Sequence, residues 1–157
     1  MKSIGIDIGT TTISIVVLED SDFTLVRKMT LPNDSALSSP NPWEHLQDVS
    51  RILAKIQAAL DEILADYNGV FSIGLTGQMH GIVYLDKSGN AVSPLYTWQD
   101  GRGNLPDFQG GMSLCSLLSE EHGVRASSGY GLVTHLYHVK KHYIQNVVNM
   151  SWRNFLL

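Results

Sequence analysis

Alternating apolar and polar residues predict three consecutive strands near the start of the chain. Isoleucine alternates with glycine and aspartate over residues 4–8, which is the two-residue period of a strand. An apolar run at 13–18 and a second alternating segment at 23–31 follow, separated by short turns at 9–12 and 19–22. Because short turns join neighbouring antiparallel strands, we expect a three-stranded meander.

A change of period marks the first helix. Residues 32–42 are rich in proline, serine and asparagine and predict a linker. Asn41 can cap a helix, and Glu44 stands three residues later, as in a capping box. Apolar residues then recur every three or four positions as far as Leu64, and the Asn-Gly pair at 68–69 predicts the end. We therefore expect an amphipathic helix over about 42–67.

The rest of the chain mixes strand and helix patterns. They predict strands at 70–76, 81–86 and 95–98, a glycine-rich loop at 100–111, and helices at about 112–122 and 132–146. This order of elements indicates an α/β fold, a mixed sheet with helices packed on it.

The composition restricts the class of protein. Of 157 residues, 43% are hydrophobic and 17% charged, which is typical of a globular domain. The net charge of −4 and the lack of a basic stripe argue against a nucleic-acid partner. No apolar run reaches the ~18 residues of a membrane span, and the N-terminus lacks a signal-peptide pattern. The single cysteine fits a reducing compartment, so we expect a cytoplasmic protein without a membrane partner.

An aspartate before a threonine-rich turn is the sharpest local signal. Asp7 ends a strand, and Gly9, Thr10, Thr11 and Thr12 follow. Such a turn offers backbone N–H groups and hydroxyls to phosphate oxygens, and an aspartate beside a phosphate is suited to hold Mg²⁺. The alternative is a hairpin turn whose polar groups satisfy only the backbone. The sequence contains no Walker-type P-loop.

Two further segments carry groups suited to a hydroxyl-rich ligand. Gln78 and His80 stand between glycines at the end of a predicted strand, where they can meet a small ligand. Trp98 lies beside Asp100 and Arg102, so a ring can stack on a sugar while the charged pair holds its hydroxyls. The alternatives are an ordinary turn for the first segment, and a buried tryptophan with a structural ion pair for the second.

A run of histidines permits a metal site. His135, His138 and His142 fall on one face of a predicted helix, where three imidazoles can bind Zn²⁺ or Ni²⁺. The interpretation we favour is a solvated polar face.

Three motifs in this order resemble the N-terminal domain of the FGGY carbohydrate kinases. They are GIDIGTTT at 5–12, GLTGQMHG at 74–81 and SPLYTWQDGRG at 93–103. Together with SSGYG at 127–131, they are most similar to sedoheptulokinases and next to xylulokinases. The resemblance extends to about residue 140.

The resemblance implies an actin-like ATPase (ribonuclease H-like) fold with a mixed sheet of five or more strands. It implies that Asp7 contacts the Mg²⁺ of MgATP through water and that residues 9–12 form the first phosphate turn. The residues it assigns to the sugar site are Gln78, Met79, His80, Trp98, Asp100, Arg102 and Tyr130. The implied reaction is phosphorylation of a ketose, of the sedoheptulose or xylulose type, by MgATP.

The main departure from the family is length. The kinases that this chain resembles carry a second domain with the aspartate base, a second phosphate loop and the adenosine pocket. We therefore expect residues 1–157 to be a truncated N-terminal domain without the C-terminal ATP-binding domain, with no catalytic base and almost no activity alone. Exposed apolar residues at its end, Trp152 and 155–157, then predict a homodimer or other association.

Two other functions remain open. One is a non-catalytic sugar-binding domain or degenerate kinase fragment. The other is a filament-forming or chaperone-type relative of actin, which leaves the motifs at 74–81 and 93–103 without a role.

Overall fold

The computed structural model describes residues 1–67, 69–144 and 151–154, without the side chains of residues 70, 71 and 151–154. The chain divides into two compact units. The first unit contains Met1–Ser35 and Val49–Gln78, and the second contains Ala36–Asp48 together with the described residues 79–144 and 151–154.

The described residues form both strands and α-helices, and five strands precede the first helix. The strands are β1 (Lys2–Ile8), β2 (Thr12–Glu19), β3 (Leu25–Pro32), β4 (Ala36–Leu37), β5 (Leu46–Gln47), β6 (Val70–Gly77), β7 (Ile82–Leu85), β8 (Leu95–Tyr96) and β9 (Ser151–Asn154). The α-helices are α1 (Val49–Asp66), α2 (Leu114–His122) and α3 (Gly131–Lys140). The expected α/β class is confirmed.

A four-stranded mixed sheet of order β3-β2-β1-β6 forms the first unit. The predicted meander of β1, β2 and β3 is antiparallel, and β6 lies parallel to β1. One face of β1 and β2 is buried through six apolar side chains: Ile4, Ile6, Ile8, Ile13, Ile15 and Val17. Helix α1 adds four buried residues to this unit: Val49, Ile52, Ala59 and Ile63.

A second sheet, of order β4-β5-β8-β7-β9, belongs to the second unit. Helices α2 and α3 share an apolar core of Leu114, Val133 and Tyr137. The segment between β8 and α2, expected as a loop, contains two single 3-10 turns at Arg102–Asn104 and Gln109–Gly111.

The expected start of the first helix is wrong. Residues 41–44 form a turn in which Glu44 N–H donates to Asn41 O over 3.0 Å, and the chain continues into β5. His45 O accepts hydrogen bonds from both Thr97 N–H (3.0 Å) and Thr97 Oγ1 (2.9 Å), and β5 pairs with β8. These tertiary bonds outweigh the local capping signal, so α1 begins only at Val49.

Three further sequence-based expectations concern the end of the last helix, the apolar C-terminal residues and membrane-spanning segments. Helix α3 ends at Lys140, earlier than expected. The residues expected to drive association, 155–157 and the Trp152 side chain, lie outside the described part of the chain. Among the described residues, no helix is long and apolar enough to span a membrane.

Candidate functional site

Asp7 lies near the end of β1 on the face opposite the buried isoleucines. The strand register places it beside Ser14 of β2 and Thr76 of β6, so two hydroxyl residues flank it on the same face. The carboxylate is exposed, and no described residue donates a hydrogen bond to it. An exposed carboxylate among hydroxyls fits a hydrated cation such as Mg²⁺.

The turn that follows β1 is tight and depends on glycine. Gly9 N–H donates to Thr12 O over 2.9 Å. A Cβ at Gly9 would lie 2.9 Å from that same oxygen, so any other residue would open the turn. The side chains of Thr11 and Thr12 are exposed, which leaves their hydroxyls available to phosphate oxygens.

A buried asparagine braces this turn. Asn33 Nδ2 donates to Gly9 O over 2.8 Å, and Asn33 N–H donates to Thr11 O over 2.8 Å. Ser35 Oγ in turn donates to Asn33 Oδ1 over 2.6 Å. Sequence reasoning missed both residues, because a stretch rich in proline and serine is typical of a solvated linker.

Gln78 lies in the first unit, against the same turn. Its N–H donates to Ile8 O over 2.9 Å, and its Oε1 accepts from Thr10 Oγ1 over 3.2 Å. The side chain is buried. Of the three residues expected to contact sugar in this segment, Gln78 is therefore bound to the threonine turn, whereas Met79 and His80 belong to the second unit.

The second unit presents four of the expected sugar-site residues on its exterior. Met79, His80, Trp98 and Tyr130 are all exposed, with Trp98 half exposed. The His80 and Tyr130 rings stack with centroids 4.5 Å apart and planes inclined by 30°. We call these four residues the aromatic surface. Rings with exposed faces and polar edges are suited to a sugar, which has both apolar faces and hydroxyls.

His80 has an unusual backbone. Its φ is 65°, in the left-handed region that costs a side-chain-bearing residue about 1–2 kcal/mol. Strained backbone of this kind is concentrated at ligand-binding and active sites, where it holds a side chain in a fixed position.

A close backbone crossing sets Trp98 next to Tyr130. A Cβ at Gly129 would lie 1.6 Å from Trp98 O, so only glycine fits there. Trp98 itself stands in a turn closed by the hydrogen bond from Asp100 N–H to Thr97 O, of 3.0 Å.

Asp100 and Arg102, also expected at the sugar, are buried. Arg102 Nε and Nη2 donate to the two Asp100 oxygens over 2.6 and 3.0 Å. The Arg102 guanidinium lies 4.5 Å from the Tyr96 ring centroid, and Nη2 lies 3.6 Å from Glu44 Oε1. Burial lowers the pKa of Arg102, but the hydrogen bonds and charge of Asp100 outweigh it and leave the pKa raised. The direct sugar contact stays a prediction, and the burial favours the structural ion pair.

His138 is a further residue whose surroundings differ from the sequence-based expectation. It is buried, so the solvated face expected for the three histidines is wrong at this position. It bonds to Arg102 Nη1, and its Nδ1 lies 2.9 Å from Tyr84 Oη. The part of the chain that the structure describes holds no group of three side chains arranged as metal ligands.

Comparison with known proteins identifies the family. The sequence profile of the N-terminal domain of the FGGY family of carbohydrate kinases matches residues 3–148. The chain belongs to this family. The expected resemblance is thus confirmed, and so is the actin-like fold of the sugar kinases.

Relatives of this FGGY chain include sedoheptulokinase and other sugar kinases. Mouse (Mus musculus) sedoheptulokinase is 32% identical over 158 residues, which cover 84% of this chain and 31% of the mouse protein. The ligand-bound xylulose kinase of Lactobacillus acidophilus has a TM-score of 0.75 at 16% identity, over 96% of this chain and 31% of that one. The glycerol kinase of Plasmodium falciparum with ADP has a TM-score of 0.68 at 15% identity, over 98% of this chain and 32% of that one. The chain therefore spans about a third of the length of the relatives it matches.

Proposed function

We propose that this chain is the N-terminal, sugar-binding part of an ATP-dependent ketose kinase. The observation that carries the proposal is the exposed stack of His80 on Tyr130, in a chain that is 32% identical to mouse sedoheptulokinase over 158 residues. The acceptor is a ketose of the sedoheptulose or xylulose type, and the enzyme acts in the cytoplasm.

The first unit binds the nucleotide phosphates. Asp7 holds a hydrated Mg²⁺, and the backbone and hydroxyl groups of residues 9–12 donate to phosphate oxygens. MgATP would supply the phosphoryl group, and its Mg²⁺ would neutralise the charge that develops during transfer. Asn33 and the Gln78 side chain keep the turn in place from its buried side.

The second unit binds the ketose. Trp98 and Tyr130 contact the apolar faces of the sugar, while His80 hydrogen-bonds a hydroxyl and Met79 fills the remaining apolar space. Asp100 and Arg102 hold the Trp98 turn through the ion pair between them, and their direct contact with the sugar stays a prediction.

The proposal places the catalytic base in the two-thirds of the relatives that has no counterpart in these 157 residues. Phosphoryl transfer depends on positioning and on exclusion of water. The chain alone is therefore expected to bind ketose without transferring phosphate.

The test has a binding arm and an activity arm. Ketose titrated into the 157-residue chain should shift the NMR signals of His80, Trp98 and Tyr130. Trp98→Ala should abolish the shifts, and the control Phe23→Ala, at an exposed turn of the first unit, should keep them.

For activity, the chain is joined to the remaining part of mouse sedoheptulokinase. Ketose-dependent ADP formation that is lost in Asp7→Ala supports the proposal. Saturable ketose binding without ADP formation would favour a non-catalytic sugar-binding domain, and the absence of ketose binding would contradict the proposal.

A further inference from the structure

A buried chain of polar side chains crosses the second unit. It runs from Asp100 through Arg102 and His138 to Tyr84, whose Oη lies 3.2 Å from His135 Nδ1. Asp100, Arg102, Tyr84 and His138 are each at most 3% exposed. We call these five residues the polar chain.

Hydrogen-bond chemistry fixes the direction of this chain. A guanidinium only donates, so His138 Nε2 must accept from Arg102 Nη1. The His138 proton then lies on Nδ1 and is donated to Tyr84 Oη. The Tyr84 hydroxyl hydrogen in turn can be donated to His135 Nδ1. Arg102 therefore requires the neutral His138 ring with its proton on Nδ1, and the Tyr84 hydroxyl can accept from that N–H.

The polar chain joins the three segments that carry the aromatic surface. Tyr84 lies on β7, four residues after His80. Arg102 follows Trp98 by four residues, and His138 lies on α3, which begins immediately after Tyr130. His138 bonds to both other segments, so it is the junction among the three.

Other contacts between these segments are independent of His138. Gly129 packs on Trp98 O, and a Cβ at Gly103 would lie 2.6 Å from Val133 Cγ1 of α3. These contacts join the Trp98 segment to the N-terminal half of α3. His138 joins the same two segments at the C-terminal half and adds β7, so it restrains the angle of α3 as well as its distance.

From this arrangement we propose that His138 is a positioning residue, which sets the mutual spacing of His80, Trp98 and Tyr130 through Tyr84 and Arg102. It acts through these neighbours and does not contact the sugar. Because the spacing matters for a ligand only if the aromatic surface binds one, the proposal rests in part on the proposed function.

The first test measures the tautomer directly. In ¹⁵N NMR of the full 157-residue chain, His138 should show a protonated Nδ1 and an unprotonated, hydrogen-bonded Nε2. A His138 ring with its proton on Nε2 would overturn the proposal. His122, an exposed histidine of α2, serves as the reference for a solvated ring.

The second test compares two substitutions. Gln in His138→Gln can accept from Arg102 and donate to Tyr84, whereas His138→Leu can do neither. We expect His138→Leu to weaken ketose binding at least about tenfold and to lose the nuclear Overhauser contact between the His80 and Tyr130 rings. His138→Gln should restore most of both, and His122→Leu should change neither. Wild-type binding and ring contact in His138→Leu would overturn the proposal.

The two proposals fail in different ways. If the wild-type chain binds no ketose, the proposed function fails, and the ring contact between His80 and Tyr130 still decides the role of His138. If His138→Leu does not fold, Tyr84→Phe serves as the test, because it removes the hydrogen bond from His138 Nδ1. Loss of the contact between the His80 and Tyr130 rings in Tyr84→Phe supports the proposal, and an unchanged contact overturns it.

Discussion

The threonine turn of the first unit and the aromatic surface of the second hold their ligand groups in opposite ways. The turn uses backbone groups of four consecutive residues, closed by a hydrogen bond between Gly9 and Thr12. The aromatic surface uses side chains from three distant segments, held by buried polar contacts. The hydrogen bond that closes the turn is encoded locally, although Asn33 and Gln78 brace the turn from distant segments, whereas the aromatic surface depends throughout on residues far apart in sequence.

Charged groups show the same contrast. In the first unit, Arg27 pairs with Glu62 and Asp66, whose side chains are mostly exposed. In the second unit, Arg102 and Asp100 are both buried. Solvent screens the charges around Arg27. If either Asp100 or Arg102 is removed, however, the remaining buried charge has no water to replace the lost hydrogen bonds.

The largest expected effect comes from Arg102→Met. It leaves the Asp100 carboxylate buried without its partner, which should cost about 3–5 kcal/mol of unfolding free energy. Arg27→Met should cost far less, because solvent screens its pairs with Glu62 and Asp66. Denaturant unfolding followed by circular dichroism measures both. Equal, small losses would show that the Arg102 pair is solvated and free to contact a sugar.

The sequence predicts the two regions unequally well. The meander, the turn at 9–12 and the strand at 70–77 follow from local patterns, and the motifs identify the family. The burial of Arg102 and His138 does not follow from the local sequence, because the same residues in the same order would also suit an exposed site. Glu44 also fits a capping box, but its contact with Arg102 and the β5 pairing are tertiary and leave no local pattern.

Gly129→Ala tests the crossing between Trp98 and Tyr130. The added Cβ would lie 1.6 Å from a backbone oxygen that cannot rotate away, so the crossing must separate. We expect a loss of about 3 kcal/mol and, in the NMR spectrum, displaced Trp98 and Tyr130 signals. Gly74→Ala is the control, because a Cβ there meets nothing within 4 Å. An undisturbed Trp98 signal in Gly129→Ala would contradict the close crossing.

The acid sensitivity of the fold should depend on His138. Burial and then the Arg102 charge lower its pKa to about 3, against an unfolded value of ~6.5. Between these two values the unfolded chain binds a proton at His138 and the folded chain does not. The free energy of unfolding therefore falls as the pH falls from about 6.5 toward 3. Between pH 7 and 5 the loss should be about 2 kcal/mol.

His138→Gln should remove this part of the pH dependence. The groups that face His138 are Arg102, Glu44, Tyr84, Tyr96, His135, Tyr137 and Tyr143. They are common to both proteins, so the difference between the two stability curves reports His138. Parallel curves for wild type and His138→Gln would mean that the ring is protonated in the fold at pH 5.

The smallest effect separates strain from function at His80. Phe23 shares its left-handed backbone, with φ of 58°, but lies in an exposed turn of the first unit. Glycine removes about 1–2 kcal/mol of strain at either position and costs about 0.5–1 kcal/mol in unfolded-state entropy. Phe23→Gly should therefore raise the unfolding free energy by about 0.5 kcal/mol.

His80→Gly gains the same strain relief but loses the stack on Tyr130, which is worth about 0.5–1.5 kcal/mol. Its stability should thus stay near that of the wild type, while ketose binding should fall sharply. Phe23→Gly should bind ketose normally. If His80→Gly instead binds ketose as the wild type does, the strained backbone at this position serves the turn alone, and the ligand-facing role passes to Trp98 and Tyr130.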